Sequence, residues 1–166
     1  MAARSGDRNA FGTLVDQEAP AAFRVARAIL RNEADAEDAV QDAFMRAWRD
    51  LPRLRELGRW PGWFRRIVVR AALDRARTDR QRREVGILDV PEAATDDPGP
   101  MLIERAVLER ALAQLGPDDR AILALRYAAD LEVPDVAATL GIPLGTAKSR
   151  LHRAVNRLRA ILGEPE

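Results

Sequence analysis

The chain contains no cysteine and a single histidine, His152. The first absence excludes disulfides, thiolate zinc sites and a cysteine nucleophile. The second leaves little for a proton relay, and no carboxylates cluster with a partner residue, so no catalytic constellation, metal site or cofactor site is expected. Aromatic residues make up only 5% of the chain. β-Branched residues are few and no segment alternates apolar with polar, so the fold is expected to be all-α. No apolar run approaches the ~20 residues that span a bilayer, and the N-terminus has no cleavage-like sequence. A cytoplasmic protein without membrane insertion is the expectation. Lysine occurs once, at Lys148, and all other basic residues are arginine. The 166 residues allow one domain or two small ones, and the 27 basic and 26 acidic side chains nearly cancel, so only their distribution is informative. No internal repeat occurs.

What is present is clearest near the end, from Val133 to Leu162. Pro134 suits the first turn of a helix, where its missing N–H has no intrahelical partner. Val136, Ala137 and Leu140 form an inward face, and Ala137 is small enough for a second helix to cross closely. Gly141 is the stop signal, because a helix commonly ends on a left-handed residue. Pro143 prevents continuation. A second helix then starts near Leu144 or Gly145, with Ala147, Leu151, Ala154, Leu158 and Ile161 as its apolar stripe. The pattern is a helix-turn-helix.

At about 100° per residue, Thr146, Ser149, His152, Arg153 and Asn156 lie opposite that stripe, flanked by Lys148, Arg150 and Arg157. No acid occurs between Gly141 and Leu162. Flanking cations neutralise phosphates and outward polar groups reach base edges, so the helix suits a major groove. A solvated charged face is the bland alternative. The glycine-centred turn, the small crossing residue and the acid-free second helix together favour DNA recognition.

Leu115, Asp119-Arg120, Leu125-Arg126 and the run D-V-A-A-T-L-G-I-P-L-G-T-A-K-S-R-L-H-R-A resemble region 4 of the extracytoplasmic-function sigma factors of bacteria. The resemblance implies that the second helix reads the minus-thirty-five promoter element through Thr146, Lys148, Ser149, Arg150, His152, Arg153, Asn156 and Arg157. Gly116 stands where that family usually has proline and Ala147 where it usually has valine, and neither change touches the outward face.

Upstream, a first helix is expected from about Ala10 to Arg31, broken or kinked near Pro20. Phe11, Leu14, Val15, Phe23, Ala26, Ile29 and Leu30 are its inward candidates. A second is expected from about Ala36 to Leu51 with Asp35 as N-cap and Ala36, Val40, Ala43, Phe44, Ala47 and Trp48 facing inward. Acids crowd its start, which by itself is good helix design against the dipole. However, A-E-D-A-V-Q-D-A-F-M-R-A-W resembles region 2.2 of the same family, which implies that Glu37, Asp38, Gln41 and Asp42 contact the polymerase β′ clamp.

After a loop from Pro52 to Pro61, a helix is expected from about Gly62 to Arg80, with Phe64, Ile67, Val68, Ala71 and Ala72 inward. Arginines greatly outnumber acids from Arg46 to Arg83, which marks either a polyanion footprint or an Arg-rich solvated face. The run W-F-R-R-I-V-V-R-A-A-L-D-R-A-R resembles regions 2.3 and 2.4, implying minus-ten recognition by Trp63, Arg65, Arg66, Arg70, Asp74 and Arg77. Arg70 stands where the family usually has asparagine. Trp60, Trp63 and Phe64 are also readable as core, since large aromatics beside a basic helix more often pack than serve as stacking platforms.

Residues 84–100 turn acidic and proline-rich, as a flexible linker does. Helices near Met101–Gln114 and Pro117–Ala128 complete a second unit, with Leu108, Leu112, Leu115, Ile122, Leu123, Leu125, Tyr127 and Leu131 as expected core. The organisation read from the chain is therefore region 2 at 10–83, linker at 84–100 and region 4 at 101–163. The resemblance implies a transcription initiation factor, monomeric when free, that binds core RNA polymerase through the β′ clamp and β flap, binds promoter DNA, and answers to an anti-sigma factor. A decoy that sequesters an anti-sigma factor, or a conventional helix-turn-helix regulator, are the alternatives.

Overall fold

The computed structural model describes residues 7–54, 56–84 and 100–163. Seven α-helices appear among them: α1 (Arg8–Leu30), α2 (Glu33–Asp50), α3 (Trp60–Glu84), α4 (Pro100–Ala113), α5 (Pro117–Leu123), α6 (Val133–Leu140) and α7 (Leu144–Leu162). No strand occurs among the described residues, so the all-α expectation holds. The acidic linker expected at 84–100 lies outside the described residues, apart from its two ends.

Local chemistry sets the helix ends. The Asp7 carboxylate accepts from the N–H groups of Asn9 and Ala10 at 2.9 and 3.2 Å, capping α1. Pro20 lies inside α1 without ending it. It sits on the exposed side, where water can serve the carbonyl that loses its N–H partner. The N-cap of α2 is Asn32, whose Oδ1 accepts from Asp35 N at 2.9 Å, not the expected Asp35. Asp35 is thereby left to a distant partner, described below.

The first three helices pack around Ile29, Leu51, Phe64 and Val68. Phe44 stacks on Phe64 at 4.4 Å between ring centroids, Trp60 stacks on Phe64 at 5.1 Å, and Phe11 meets Trp48 edge-on at 4.9 Å. Trp60 and Phe64 are thus core. Trp63 is half-buried, tilted 5.6 Å from Trp60. Each large side chain buried here contributes roughly 1.5–3 kcal/mol.

In the second unit, α5 passes into a wide turn at Ala124–Ala128 closed by Ala129 N donating to Ala124 O at 2.9 Å. The extra residue of this π-type turn re-aims the chain. Tyr127, expected in the core, is 64% exposed as a result, whereas Ile122 and Leu125 are buried as expected. Leu108 is also more exposed than expected, at 43%, on the open side of α4. The expected helix-turn-helix is present: Gly141 ends α6 at φ +66°, and α7 crosses on Ala137, Ala147 and Ala154, all buried.

The two units do not stand apart. α1 and α3 both pack against α5, and α3 also packs against α6. One continuous apolar cluster joins Ala22, Val25, Val68, Val69 and Ala72 to Leu115, Ile122, Leu125 and Val136.

Candidate nucleic-acid interface

Helix α7 owes its orientation to its stripe: Ala147 and Ala154 are buried completely, and Leu151, Leu158 and Ile161 pack at the margin. Everything opposite must then face out. Lys148, Ser149, His152, Arg153 and Arg157 are exposed, while Thr146, Arg150 and Asn156 are half-buried. The structure therefore brings all eight expected residues onto one helix, with Arg153 Nε donating to Ser149 O at 3.2 Å and the Asn156 amide 3.2 Å from His152 Nε2. These contacts hold the side chains along the helix without covering them.

Arg157 differs from the rest. Its Nη1 lies 2.5 Å from Asp119 Oδ2 in α5, and the Asp119 side chain is only 17% exposed. This cation is committed to an internal partner that braces α7 against α5, which leaves Lys148, Arg150 and Arg153 as the cations of the face without an acid partner among the described residues. Nothing in local spacing signalled Asp119, which is 38 residues away.

The second cationic surface runs along α3. Arg66, Arg70, Asp74 and Arg77 recur at helical spacing on its outer side and are exposed, and Arg65 is half-buried beside them. Asp74 sits 3.8 Å from Arg77, and Arg77 also lies 3.5 Å from Asp118 of α5. The face is positive at Arg66 and Arg70 and partly neutralised at Arg77. Such a surface attracts a phosphate backbone, and Trp63 near its start is half-buried.

Further round α3, Arg75 donates to Asp35 at 2.9 and 2.8 Å and to Asp38 at 2.9 Å. Partial burial lowers the pKa of this guanidinium, but the hydrogen bond and charge of Asp35, and then of Asp38, more than offset it and leave the pKa raised. One arginine thus staples the start of α2 to α3. Asp38, one of the four expected polymerase contacts, is engaged by it, and Asp42 is half-buried. Glu37 and Gln41 point elsewhere: they border an apolar groove of about 650 Å³ floored by Phe11, Phe23, Val40, Phe44, Met45 and Trp48. Met45 is 58% exposed there. Glu37 and Gln41 of the expected polymerase contacts thus lie on the polar rim of this groove, and Phe44 and Trp48, expected to face inward, line its floor.

No group of three or more acids or histidines able to hold a metal ion occurs among the described residues. No described helix is long and apolar enough to cross a membrane.

Comparison with known proteins matches two family models to these two surfaces: Sigma-70 region 2 over residues 14–83 and Sigma-70, region 4 over residues 105–158. ECF RNA polymerase sigma factor SigL of Mycobacterium tuberculosis is 34% identical over 155 residues, covering 91% of this chain and 88% of that protein. SigM of the same organism is 35% identical over 160 residues, covering 96% and 80%. Among solved structures, the sigma factor RpoE of Bartonella quintana, in complex with the anti-sigma factor NepR, superposes with a TM-score of 0.76 at 25% identity, covering 94% of this chain and 98% of that one. CnrH, in complex with the cytosolic domain of CnrY, does so with a TM-score of 0.71 at 27% identity, covering 97% and 92%.

Proposed function

This chain belongs to the extracytoplasmic-function sigma factors, and from that premise we propose how its surfaces divide the work of transcription initiation. As a sigma factor it binds core RNA polymerase and directs the enzyme to promoters. Residues 10–83 carry polymerase docking and the minus-ten element, 84–100 the tether, and 101–163 the minus-thirty-five element.

The observation that carries this assignment is the acid-free outer face of α7, set on a helix-turn-helix whose stripe leaves that face, Arg157 apart, no internal role. Lys148 and Arg150 neutralise phosphates, and Thr146, Ser149, His152, Arg153 and Asn156 reach base edges. Arg157, held by Asp119, contributes through the placement of α7 as well as through its charge. On α3, Arg65, Arg66, Arg70 and Arg77 hold the minus-ten backbone with Asp74 among them, and Trp63 stacks on an unpaired base. Arg70 substitutes a cation for the family's usual asparagine.

Glu37 and Gln41, with the apolar floor beside them, form the docking edge for the β′ clamp, and Asp38 and Asp42 support it from α2. The second unit meets the β flap. An anti-sigma factor is the regulatory partner, in keeping with the NepR complex of the Bartonella relative. No catalytic step falls to this chain. Each DNA contact is weak alone because a few phosphate contacts are salt-sensitive, and tethering both units to one enzyme raises the effective concentration of each at its own element.

Run-off transcription with purified bacterial core polymerase tests the assignment, using promoter fragments selected by the reconstituted holoenzyme. Promoter-dependent product is expected. A decoy would give none, and a conventional regulator would shift duplex DNA at moderate salt without polymerase.

A further inference from the structure

We propose that Asn156 takes its part in promoter reading through His152: its amide holds the imidazole in the tautomer protonated at Nδ1, so that His152 offers the major groove a hydrogen-bond donor and selects a base edge that accepts. The inference rests on the assignment of α7 as the helix that reads DNA, and it names the chemistry that one residue of that helix recognises. Asn156 Nδ2 lies 3.2 Å from His152 Nε2, one turn away on α7. An amide nitrogen can only donate, so in the neutral ring Nε2 must accept and the single ring proton resides on Nδ1. Among the described residues no other hydrogen bond or ion pair engages this ring, which leaves Nδ1–H for an outside partner.

The neighbouring contacts along this face are of another kind. Ser149 Oγ donates to Thr146 O at 3.1 Å and Arg153 Nε to Ser149 O at 3.2 Å, both onto carbonyls of the helix itself. A guanidinium keeps the same protons whatever it meets. A neutral imidazole has two arrangements of its one proton, and the hydrogen bond made by one nitrogen decides what the other presents.

Position assigns the two roles. The N-terminal part of a recognition helix contacts base edges. His152, about two turns into α7, is exposed, and Asn156, a turn further on, is half-buried, so the ring reaches the groove ahead of the amide. A donor there matches guanine, which shows the adjacent acceptors N7 and O6, or the O4 of thymine. It meets the N4 amine of cytosine donor against donor. The other tautomer would present an acceptor and invert the choice. A second proton, taken up at Nε2, leaves Nδ1–H in place, so the preference for an accepting edge holds in both charge states of the ring.

The test uses the full chain. His152 is its only histidine, so long-range proton–nitrogen NMR correlations of the isotope-labelled protein report this ring alone. At about pH 8, where an imidazole is neutral, the Nδ1–H tautomer should predominate in the parent. Asn156→Ala, a helix-favouring change, should shift the ring toward the Nε2–H form that free imidazole side chains prefer in water. A parent ring in the Nε2–H form, or one unmoved by Asn156→Ala, overturns the proposal. If circular dichroism shows that this variant loses helix, Asn156→Met replaces it under the same criteria.

Binding of the holoenzyme to singly substituted fragments of the promoter that it selects supplies the second readout. Asn156→Ala should lower discrimination between an accepting and a donating edge at one base pair by about two- to tenfold, the scale of one neutral hydrogen bond. His152→Ala should lower it at the same base pair, and adding Asn156→Ala to His152→Ala should cost nothing more. Additive losses would mean that Asn156 reads a base of its own, and would overturn its positioning role. Arg153→Ala, measured on the same fragments, separates the proposal from the reading beneath it. A scan that responds to Arg153→Ala and not to Asn156→Ala sinks the proposal alone, whereas a scan indifferent to all three substitutions sinks α7 as a base-reading helix and the proposal with it.

Discussion

Arg157 Nη1 of α7 lies 2.5 Å from Asp119 Oδ2, joining α7 to α5 through a carboxylate that is mostly enclosed. A cation on the helix face proposed to read DNA is thus also a structural brace. Removing Asp119 has two effects of opposite sign: it frees a cation for phosphate and loosens the helix that carries it.

Double-mutant analysis separates them. Asp119→Ala, Arg157→Ala and the double variant, unfolded in urea, should show a coupling of about 0.5–1 kcal/mol, since the arginine end is largely solvated. Binding of the holoenzyme to minus-thirty-five fragments should fall in Asp119→Ala despite the released charge. A gain in affinity would show that the brace does not matter to recognition.

The outward arginines should divide by role. Arg150→Ala, beside the face, is expected to weaken binding about equally on all promoter sequences and to reduce the salt slope by about one. Arg153→Ala, at its centre, should relax discrimination at particular base pairs, at about 1–3 kcal/mol each. Filter binding of the holoenzyme to a set of singly substituted promoters distinguishes the two. Equal, sequence-independent losses would refute the base contact of Arg153.

Gly141 ends α6 at φ +66°, and a Cβ placed there would meet no neighbour within 4 Å. The cost of substitution is therefore backbone strain alone. Gly141→Ala should destabilise the chain by about 1–2 kcal/mol in urea denaturation, and Gly141→Asn by less, because asparagine tolerates the left-handed region. An alanine as stable as the parent would mean that the turn relaxes to another shape.

The apolar groove beside Gln41 should be needed for polymerase association. Met45→Asp places a charge on its floor at a residue already 58% exposed, so the thermal midpoint should shift little. Co-elution with core enzyme on gel filtration should drop at least tenfold in affinity. Asp38→Ala should act differently, lowering the thermal midpoint through loss of an Arg75 partner. Unimpaired association by Met45→Asp would remove the groove from the docking surface.

Much of the fold was legible because its signals are local. Pro134, Gly141 and Pro143 bracket the turn by their own backbone preferences, and the spacing of Ala147, Leu151, Ala154, Leu158 and Ile161 orients α7 without reference to any other element. The same applies to Ala36, Val40, Ala43 and Ala47 in α2, all buried as their spacing implies. Where competing local signals met, the pattern misled. Asp35 and Asn32 are both good caps, and Asn32 takes the role from its extended backbone just before the helix, while Asp35 lies inside the first turn and pairs with Arg75. Tyr127 fits the apolar register of α5, but the wide turn at Ala124–Ala128 carries it outward.

By itself the chain determined its helices, their inward stripes and the acid-free face of α7, since each depends on residues within one or two turns of one another. Only the tertiary structure decided which charges on those faces are committed. Arg157 finds Asp119 at a separation of 38 residues, Arg75 finds Asp35 at 40, and Arg77 finds Asp118 at 41. Helical periodicity is blind at such distances: an ion pair needs a few ångströms in space, and that proximity is set by how whole helices pack.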